Sequence, residues 1–265
     1  MWLLNFLQNL PLTPMFLAAL AIAIVLCWAI VLVVRLWVRG CGFDPSTPLP
    51  IRDTIIGAVS AIFALMMAFS AAGIWNDTLQ ANTAVQREAN ALENVVALAG
   101  SLPPDLAEKV RGSVVRYSKE VVDNDWPAMV HKVGIDDPIY DISDQTLVDL
   151  VNVLSLEHAR IVGLPTLTPL FGQVIEARSA RLARITLANG GVSMAQWLAM
   201  LVIAIAALSA VAICNTHHFG MQVLATHLYA LAAAAAFFVI LAHDRPFVGA
   251  ISVSPAPILR LATGR

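Results

Sequence analysis

The side chains with the clearest capacity for metal chemistry are four histidines in the second half of the chain. They are His217, His218, His227 and His243. Adjacent histidines in a turn point to different sides, and His217 and His243 fall at opposite ends of a predicted membrane helix. The spacing therefore predicts no shared metal site, and we expect no metal or other cofactor.

The carboxylates offer little for acid–base catalysis. Glu88 and Glu93 are more than one helical turn apart, which is unfavourable for a paired general acid and base. The sequence contains no P-loop, dinucleotide fingerprint or nucleophile motif. These observations predict that the protein is not an enzyme.

Three arginines form a basic stripe at helical spacing: Arg178, Arg181 and Arg184. They come shortly before an apolar block. One interpretation is that they anchor the chain to anionic lipid headgroups, and the other is that they form an electropositive pore vestibule.

The elements that must position these residues are four long apolar blocks, two at each end of the chain. They are Met15–Val38, Thr54–Trp75, Gln196–Asn215 and Met221–Ala242. Each is long enough to cross a ~30 Å hydrocarbon core as a helix, which needs about 20 residues. The blocks contain one charge, Arg35, placed where its side chain can reach the interface. The chain is therefore predicted to be an all-α integral membrane protein.

This pattern divides the chain into five segments. Residues 1–14 form an interfacial N-terminus with Trp2 and Phe6 suited to the headgroup zone, and 15–75 hold the first two spans. Residues 76–192 form a helical extramembrane domain, 193–242 hold the third and fourth spans, and 243–265 form a tail. The domain carries 15 acidic and 10 basic residues, a net charge of −5, so nucleic acid is not an expected partner.

The distribution of basic residues predicts the side on which the domain lies. An even number of crossings precedes the domain, so both termini share its side. Near the ends of the spans, seven arginines lie on that side: Arg87, Arg178, Arg181, Arg184, Arg245, Arg260 and Arg265. Arg35, Arg39 and Arg52 lie on the other side. Because cytoplasmic segments are enriched in Lys and Arg, we expect a cytoplasmic domain in the cell inner (plasma) membrane.

Helical periodicity organises the domain. Apolar residues from Leu106 to Val121 repeat at helical spacing after Pro103-Pro104-Asp105, and a second helix is predicted to begin at Ser143 as its N-cap. The Asp-, Pro- and Gly-rich stretch 124–142 is predicted to be a loop. The second span is expected to continue through Asp77–Ala99 as one long helix. A further helix, Phe171–Leu187, should lead to a hinge at Asn189-Gly190-Gly191.

The second span has two contrasting faces. Small residues fall on one side: Gly57, Ser60, Ala61, Ala64, Ala68, Ala71 and Ala72. The other side holds Val59, Ile62, Phe63, Met66, Ser70 and Gly73. In one interpretation the small face packs against other helices and the bulky face meets lipid. In the other, copies of the helix surround an axis and the bulky face forms a hydrophobic constriction. The roles of the two faces could also be reversed.

The lack of charge within the spans excludes several mechanisms. Proton-coupled transporters and voltage sensors place ionisable residues inside the membrane. Here His227 is the one titratable imidazole within a span. A passive pore and a membrane scaffold are the two classes of protein that remain compatible with uncharged spans.

A series of short motifs resembles the bestrophin-like membrane family. The series runs from Trp75 through Val85-x-x-Glu88-Ala89 to Asp125-Trp126-Pro127, then to Ala177-Arg178 and Arg181-Leu182. Asp244-x-Pro246-Phe247-x-Gly249 follows the fourth span. The order of these elements relative to four spans carries the resemblance, which covers most of the chain.

The resemblance implies an oligomeric ion channel. Bestrophins are pentameric channels in which the second span lines a narrow hydrophobic neck. Five residues become neck candidates: Val59, Ile62, Phe63, Met66 and Ser70. Bestrophins bind calcium through an acidic cluster after the fourth span, and this chain offers only Asp244 there, so calcium gating is not expected.

Two functions follow from these observations. The first is a homo-oligomeric ion channel, a pentamer if it follows the bestrophins, that conducts small inorganic ions through the lipid bilayer. The alternative is a non-conducting membrane scaffold or signalling protein that acts through its helical domain.

Overall fold

The computed structural model describes Leu7 and residues 10–42, 52–160, 166–249 and 251–263, with the side chains of 52–53 and 157–160 left out. The interfacial residues Trp2 and Phe6, the side chain of Arg52 and Arg265 lie outside the described residues. Every regular element in the described ranges is helical, which confirms the all-α fold class.

Four helical segments are long and apolar enough to cross a membrane, as predicted: Leu12–Gly40, Thr54–Ala99, Leu167–Cys214 and Phe219–His243. The chain divides into two compact units. The membrane unit comprises 1–76, 192–244 and 249–251, and the helical domain comprises 77–191, 245–248 and 252–265.

The membrane unit contains helix α1 (Leu12–Gly40), the first half of α2 (Arg52–Ala99), α7 (Met194–Cys214) and α8 (Phe219–His243). Helices α7 and α8 lie at its centre. One core cluster joins them to α1 through Cys27, Ile30 and Val34, and another joins them to α2 through Phe63, Met67 and Ile74. The alanines Ala204, Ala212, Ala230 and Ala233 are buried in these contacts. Small residues allow such close approach of helices in lipid.

A capping box sets the start of α7. The Ser193 Oγ accepts a hydrogen bond from the backbone N–H of Gln196 at 3.3 Å, and the Gln196 Oε1 accepts one from the backbone N–H of Ser193 at 2.9 Å. Directly before it, Gly191 has a φ of 124°, which favours glycine. The predicted break after α6 is confirmed.

The helical domain contains the second half of α2 and the helices α3 (Pro104–Glu120), α4 (Trp126–Val130), α5 (Asp141–Arg160), α6 (Leu167–Asn189) and α9 (Ala256–Ala262). A single π-helical turn, Val121–Asp125, joins α3 to α4, and a short 3-10 turn, Pro138–Tyr140, precedes α5. The uninterrupted helix Arg52–Ala99 confirms the predicted continuation of the second span.

Two local predictions were wrong. The stretch 124–142 is not a loop, because much of it forms the π turn, α4 and the 3-10 turn. Helix α5 begins at Asp141, so Ser143 lies inside its first turn and is fully buried instead of capping it. Here the tertiary environment of Ser143 outweighs its local capping preference.

Candidate functional site

The membrane half of α2 packs inside the membrane unit through its bulky face. Phe63 is 7% exposed, and its ring centroid lies 6.1 Å from that of Tyr229 and 6.3 Å from that of Phe237, both on α8. Met67 and Ile74 are buried on the same side of the helix. Within one chain, therefore, the bulky face makes the internal contacts, and the expectation that the small face does so was wrong.

The five neck candidates occupy different environments. Ile62 faces outward and is 56% exposed, whereas Phe63 is buried. Val59, Met66 and Ser70 are half-buried at the edge between them. A side chain that is buried within its own chain can support a pore wall but cannot line it. Ile62 is the most exposed of the five candidates.

The outward side of α2 consists of two neighbouring stripes. The first is bulky: Ile55, Ile62, Leu65 and Phe69, which are 47%, 56%, 57% and 69% exposed. The second is small: Gly57, Ala61, Ala64, Ala68 and Ala72. From Thr54 to Trp75 neither stripe contains a charged residue. This side of α2 is therefore apolar along its membrane half.

A buried ion pair lies at the centre of the helical domain. Glu88 on α2 and Arg184 on α6 are both fully buried. The Arg184 Nε donates to Glu88 Oε2 at 2.7 Å, and the Arg184 Nη2 donates to Glu88 Oε1 at 3.1 Å. This two-point contact joins residues 96 positions apart in the chain.

Asp125, at the end of the π turn, extends this pair into a network. Its Oδ2 accepts from Arg184 Nη2 at 3.2 Å and from Arg181 Nε at 3.0 Å. The Ser143 Oγ donates to Asp125 Oδ1 at 2.8 Å and accepts from Arg181 Nη2 at 2.7 Å, and Arg181 also donates to the Tyr140 carbonyl oxygen. Arg181 thus connects α6 to the start of α5.

The π turn has a specific role here. Its extra residue lets the Trp126 N–H reach back to the Val121 carbonyl and carries Asp125 to the two arginines. The Arg184 guanidinium also lies 5.3 Å from the Trp126 ring centroid, within the range of a cation–π interaction.

The charges at the centre of the network balance one another. Two carboxylates, Glu88 and Asp125, balance the two guanidinium groups, and each charged group has partners of opposite charge. Burying these ions without partners would be prohibitive, whereas good geometry compensates for their desolvation. The network holds α2, the π turn, α5 and α6 together, and Arg181 at its edge also lines an open cavity with Tyr140 and Asp144.

Two tyrosines border the network. The Tyr117 hydroxyl donates to Glu88 Oε1 at 2.7 Å. Burial raises the pKa of Tyr117 well above its ordinary value, and the Glu88 carboxylate raises it further. Burial and the Asp125 carboxylate likewise raise the pKa of Tyr140. Both hydroxyls are therefore protonated near neutral pH, where Tyr117 donates to Glu88.

The basic stripe serves the domain itself. Arg181 and Arg184 are buried in the network, and the exposed Arg178 makes a two-point contact with Asp144 at 2.9 and 2.7 Å. Both sequence-based interpretations of this stripe required accessible charges, and they were wrong for Arg181 and Arg184. These arginines contact other helices of the domain because their side chains project from its buried face.

The remaining signature residues shape the chain after α8 and the start of α4. Phe247 is buried with its ring centroid 5.5 Å from that of Trp126, and the Pro246 carbonyl accepts from Val253 N–H at 2.8 Å. Gly249, which lies between Pro246 and Val253, has a φ of 87°, a conformation that favours glycine. Pro127 lies in the first turn of α4, directly after the π turn.

In the membrane unit, Asp244 and the histidines contact nearby helices. The Asp244 Oδ1 accepts from Val192 N–H at 2.6 Å, just before α7. His243 lies beside Trp75, with ring centroids 6.3 Å apart, and its Nδ1 bonds the Val239 carbonyl at 3.0 Å. The Nδ1 of His227 bonds the Val223 carbonyl at 2.8 Å. The Nδ1 atoms of both histidines therefore bond carbonyls of their own helix, while their rings contact tryptophans of other helices, Trp75 and Trp28.

Sequence reasoning missed the importance of Arg184, Tyr117 and Ser143, but a signal was present. Buried positions on α6 repeat at alternating steps of four and three: Leu170, Val174, Ala177, Arg181, Arg184 and Ala188. The same steps on α2 give Ala81, Val85, Glu88, Leu92, Val95 and Ala99. Charged residues at positions of an apolar stripe indicate buried, paired ions.

The comparisons with known proteins agree with this fold. No curated protein sequence matches the chain. A bacterial Bestrophin homolog from Klebsiella pneumoniae, crystallised with a single mutation, has 12% identity, covers 94% of this chain and 96% of its own, and gives a TM-score of 0.70. A second variant of that homolog has 13% identity, covers 95% of this chain and 96% of its own, and gives a TM-score of 0.69. Another crystallised membrane protein has 12% identity, covers 94% of this chain and 96% of its own, and gives a TM-score of 0.71. The family model of the Bestrophin-like domain matches residues 21–258. The chain therefore belongs to the bestrophin-like family of membrane proteins.

Proposed function

We propose that this protein is a homo-oligomeric, bestrophin-type ion channel whose pore is narrowest at the second transmembrane helix. The observation that carries the proposal is the outward side of α2, which is apolar and uncharged from Thr54 to Trp75 in a member of this family. Copies of this helix arranged around an axis would form a hydrophobic constriction. Such constrictions control conduction through the wetting of the pore.

Within this proposal, the bulky stripe provides the neck. Ile62 is its central residue among the five candidates, and the exposed Leu65 and Phe69 continue the stripe along the helix. Met66, Val59 and Ser70 border it. Phe63 stabilises the wall from behind through Tyr229 and Phe237.

The helical domain would surround the pore on the cytoplasmic side of the inner (plasma) membrane. Its net charge of −5 provides no general attraction for anions. Small inorganic ions are the proposed cargo, with the oligomer, on the family pattern a pentamer, supplying the pore. The buried ionic network would fix the extramembrane half of α2. Because the neck residues lie on the same helix, the network would also fix their register.

Ion flux in liposomes tests the proposal. Purified protein should dissipate a chloride or potassium gradient, and Ile62→Ala should raise the flux severalfold because it widens the neck. Ile22→Ala is a matched control, since Ile22 on α1 is also an exposed isoleucine of a span, at 49%. It should leave the flux unchanged.

Two results would contradict the proposal. An equal effect of both variants would remove Ile62 from the pore lining. The absence of flux for either ion over a range of pH and calcium concentrations would instead favour a non-conducting scaffold.

A further inference from the structure

An open cavity of the helical domain lies beside the first turn of α5 and the middle of α6. Its volume of about 470 Å³ is within the range of small-molecule sites. Every residue that lines it belongs to the helical domain, so the cavity is contained within one unit. The ionic network reaches it at a single side chain, Arg181.

One part of the cavity wall is aliphatic. It is formed by Ile135, Ile175, Leu182 and Ile185. Ile175 and Leu182 are 62% and 55% exposed, and Ile135 is 40% exposed. A ligand with an apolar body would remove this surface from water, which is favourable in proportion to the area covered.

The other part of the wall is charged, and three of its four ions are paired within the chain. Arg178 makes its two-point contact with Asp144 at 2.9 and 2.7 Å. The Arg181 Nη1 also donates to Asp144 Oδ1 at 3.5 Å, while its Nε and Nη2 bond Asp125 and Ser143. Arg178 thus balances Asp144, and Arg181 belongs to the balanced network.

Asp141 is the fourth ion of the wall, and its charge is not compensated. Its carboxylate is exposed in the first turn of α5, and no described residue donates to it or forms an ion pair with it. The exposed Ser179 lines the same cavity, and its hydroxyl likewise has no partner among the described residues. The cavity therefore combines an aliphatic wall with one uncompensated negative charge and one available hydroxyl.

We propose that this cavity binds an amphipathic monocation, a primary amine with an aliphatic body. The ammonium group would pair with the Asp141 carboxylate and donate to the Ser179 hydroxyl, and the body would cover Ile175 and Leu182. An anion is disfavoured because the cavity presents Asp141 in addition to the paired Asp144, and like charges repel. The site lies within the helical domain, and its proposed ligand does not depend on ion conduction.

A matched series of probes tests the charge of the ligand. Cyclohexylmethylamine, cyclohexylmethanol and cyclohexanecarboxylate share one apolar body and are cationic, neutral and anionic at neutral pH. Isothermal titration calorimetry of the full chain in phosphatidylcholine nanodiscs, with the heat of empty nanodiscs subtracted, measures their affinities. We expect the amine to bind at least about tenfold more tightly than the alcohol or the carboxylate, because charge-assisted hydrogen bonds are stronger than neutral ones.

A matched pair of aspartate variants tests the role of Asp141. Asp141 and Asp105 are both exposed, and each lies in the first turn of its helix, α5 or α3. Asp141→Asn and Asp105→Asn therefore remove a comparable interaction with a helix N-terminus. We expect Asp141→Asn to weaken amine binding at least about tenfold and to leave alcohol binding unchanged. Asp105→Asn should change neither.

A second pair of variants tests the aliphatic wall. Leu182→Ala shortens this wall, so it should weaken binding of the amine and of the alcohol by the same factor, severalfold in each case. Leu156→Ala is the control, since Leu156 is a leucine of α5 that is 66% exposed and does not line the cavity. It should leave both affinities unchanged.

Three results would overturn the proposal. Tighter binding of the carboxylate than of the amine would assign the cavity to anions, with Arg178 as their partner. Equal amine affinities of Asp141→Asn and Asp105→Asn would remove Asp141 from the site. The absence of amine binding to the unmodified protein at millimolar concentrations would show that the cavity does not take this class of ligand.

Discussion

The membrane unit and the helical domain are both bundles of helices, but different contacts hold their helices together. In the membrane unit, alanines and one aromatic cluster around Phe63 fill the spaces between α2, α7 and α8. In the helical domain, two carboxylates and two guanidinium groups lie in the middle of the apolar core. The same chain thus uses shape complementarity in one unit and ion pairing in the other.

The surroundings of each unit explain this difference. Lipid chains are as apolar as the helices, so helices in a bilayer associate mainly through close packing. The helical domain exposes charged side chains, such as those on α3, as a unit in water would, and the hydrophobic effect would then stabilise its apolar core. Such a core can accommodate a neutral, fully paired ionic network. The network restricts the helices to one register, because the ions would lose their partners in any other register.

One arginine from each unit shows this difference in how a charge is stabilised. Arg35 of the membrane unit is half-buried near the end of α1, donates to Gln222 Oε1 at 2.8 Å, and lies 4.2 Å from the Phe219 ring centroid. Arg184 of the domain is fully buried between Glu88 and Asp125. A position near a membrane interface lets a charge keep part of its hydration, whereas Arg184 depends on its partners.

The largest effect should come from Arg184→Met. Removing this cation leaves Glu88 buried without its charge partner, so we expect the domain to lose about 3–5 kcal/mol of unfolding free energy. Arg35→Met is the matched control in the membrane unit and should lose much less, since methionine is well tolerated in lipid and Gln222 is neutral. Hydrogen–deuterium exchange of each unit in detergent, with urea denaturation, would measure both.

Equal destabilisation by the two variants would contradict the proposed difference between the units. The double variant Glu88→Met/Arg184→Met sharpens the test, because it removes the unpaired charge. It should be more stable than Arg184→Met alone if desolvation of Glu88 causes the loss.

Much of this fold could be predicted from the sequence because its signals are local. The length of the apolar blocks determined the spans, and the absence of a helix breaker between Thr54 and Ala99 predicted one long helix. The glycines at 190 and 191 marked the break before α7. Each of these conclusions needs only neighbouring residues.

The rest required knowledge of which distant segments meet. A helical wheel separates the two faces of α2, but it cannot tell that Phe63 contacts Tyr229 and Phe237 of α8. Nor can it tell that Glu88 pairs with Arg184. Ser143 was predicted to cap a helix because serine favours that position. In the structure it lies inside α5, where its hydroxyl bonds Asp125 and Arg181. Contacts between residues far apart in the chain therefore form most of the ionic network, and the sequence pattern alone does not reveal them.

An intermediate effect is expected from Tyr117→Phe, which weakens the network without removing a charge. It deletes the 2.7 Å hydrogen bond to the Glu88 carboxylate, so we expect a loss of about 1.5–3 kcal/mol near pH 8. The raised pKa of Tyr117 means that the folded state holds its proton more tightly than the unfolded state. Its stabilisation is therefore complete below pH ~10 and is lost as the pH rises through the raised pKa.

Urea denaturation at pH 8 and at pH 11 would measure this dependence. The difference between the unmodified protein and Tyr117→Phe should shrink at the higher pH. Tyr229→Phe removes a tyrosine of the membrane unit and controls for general alkaline effects. A difference that grows with pH would show that Tyr117 does not donate to Glu88.

The smallest effect concerns Lys132, where a polar contact of the domain compensates for backbone strain. Lys132 follows α4 with a φ of 53°, a left-handed conformation that favours glycine, and its Nζ donates to the Gly190 carbonyl at 3.0 Å. Lys132→Gly relieves the strain and loses the hydrogen bond, so we expect a net change within about 1 kcal/mol. Lys132→Ala loses the bond and keeps the strain, and it should be less stable than Lys132→Gly by about 1 kcal/mol. Urea denaturation of the two variants measures this gap directly. Equal stability of the two variants would mean that the left-handed conformation at position 132 carries no strain.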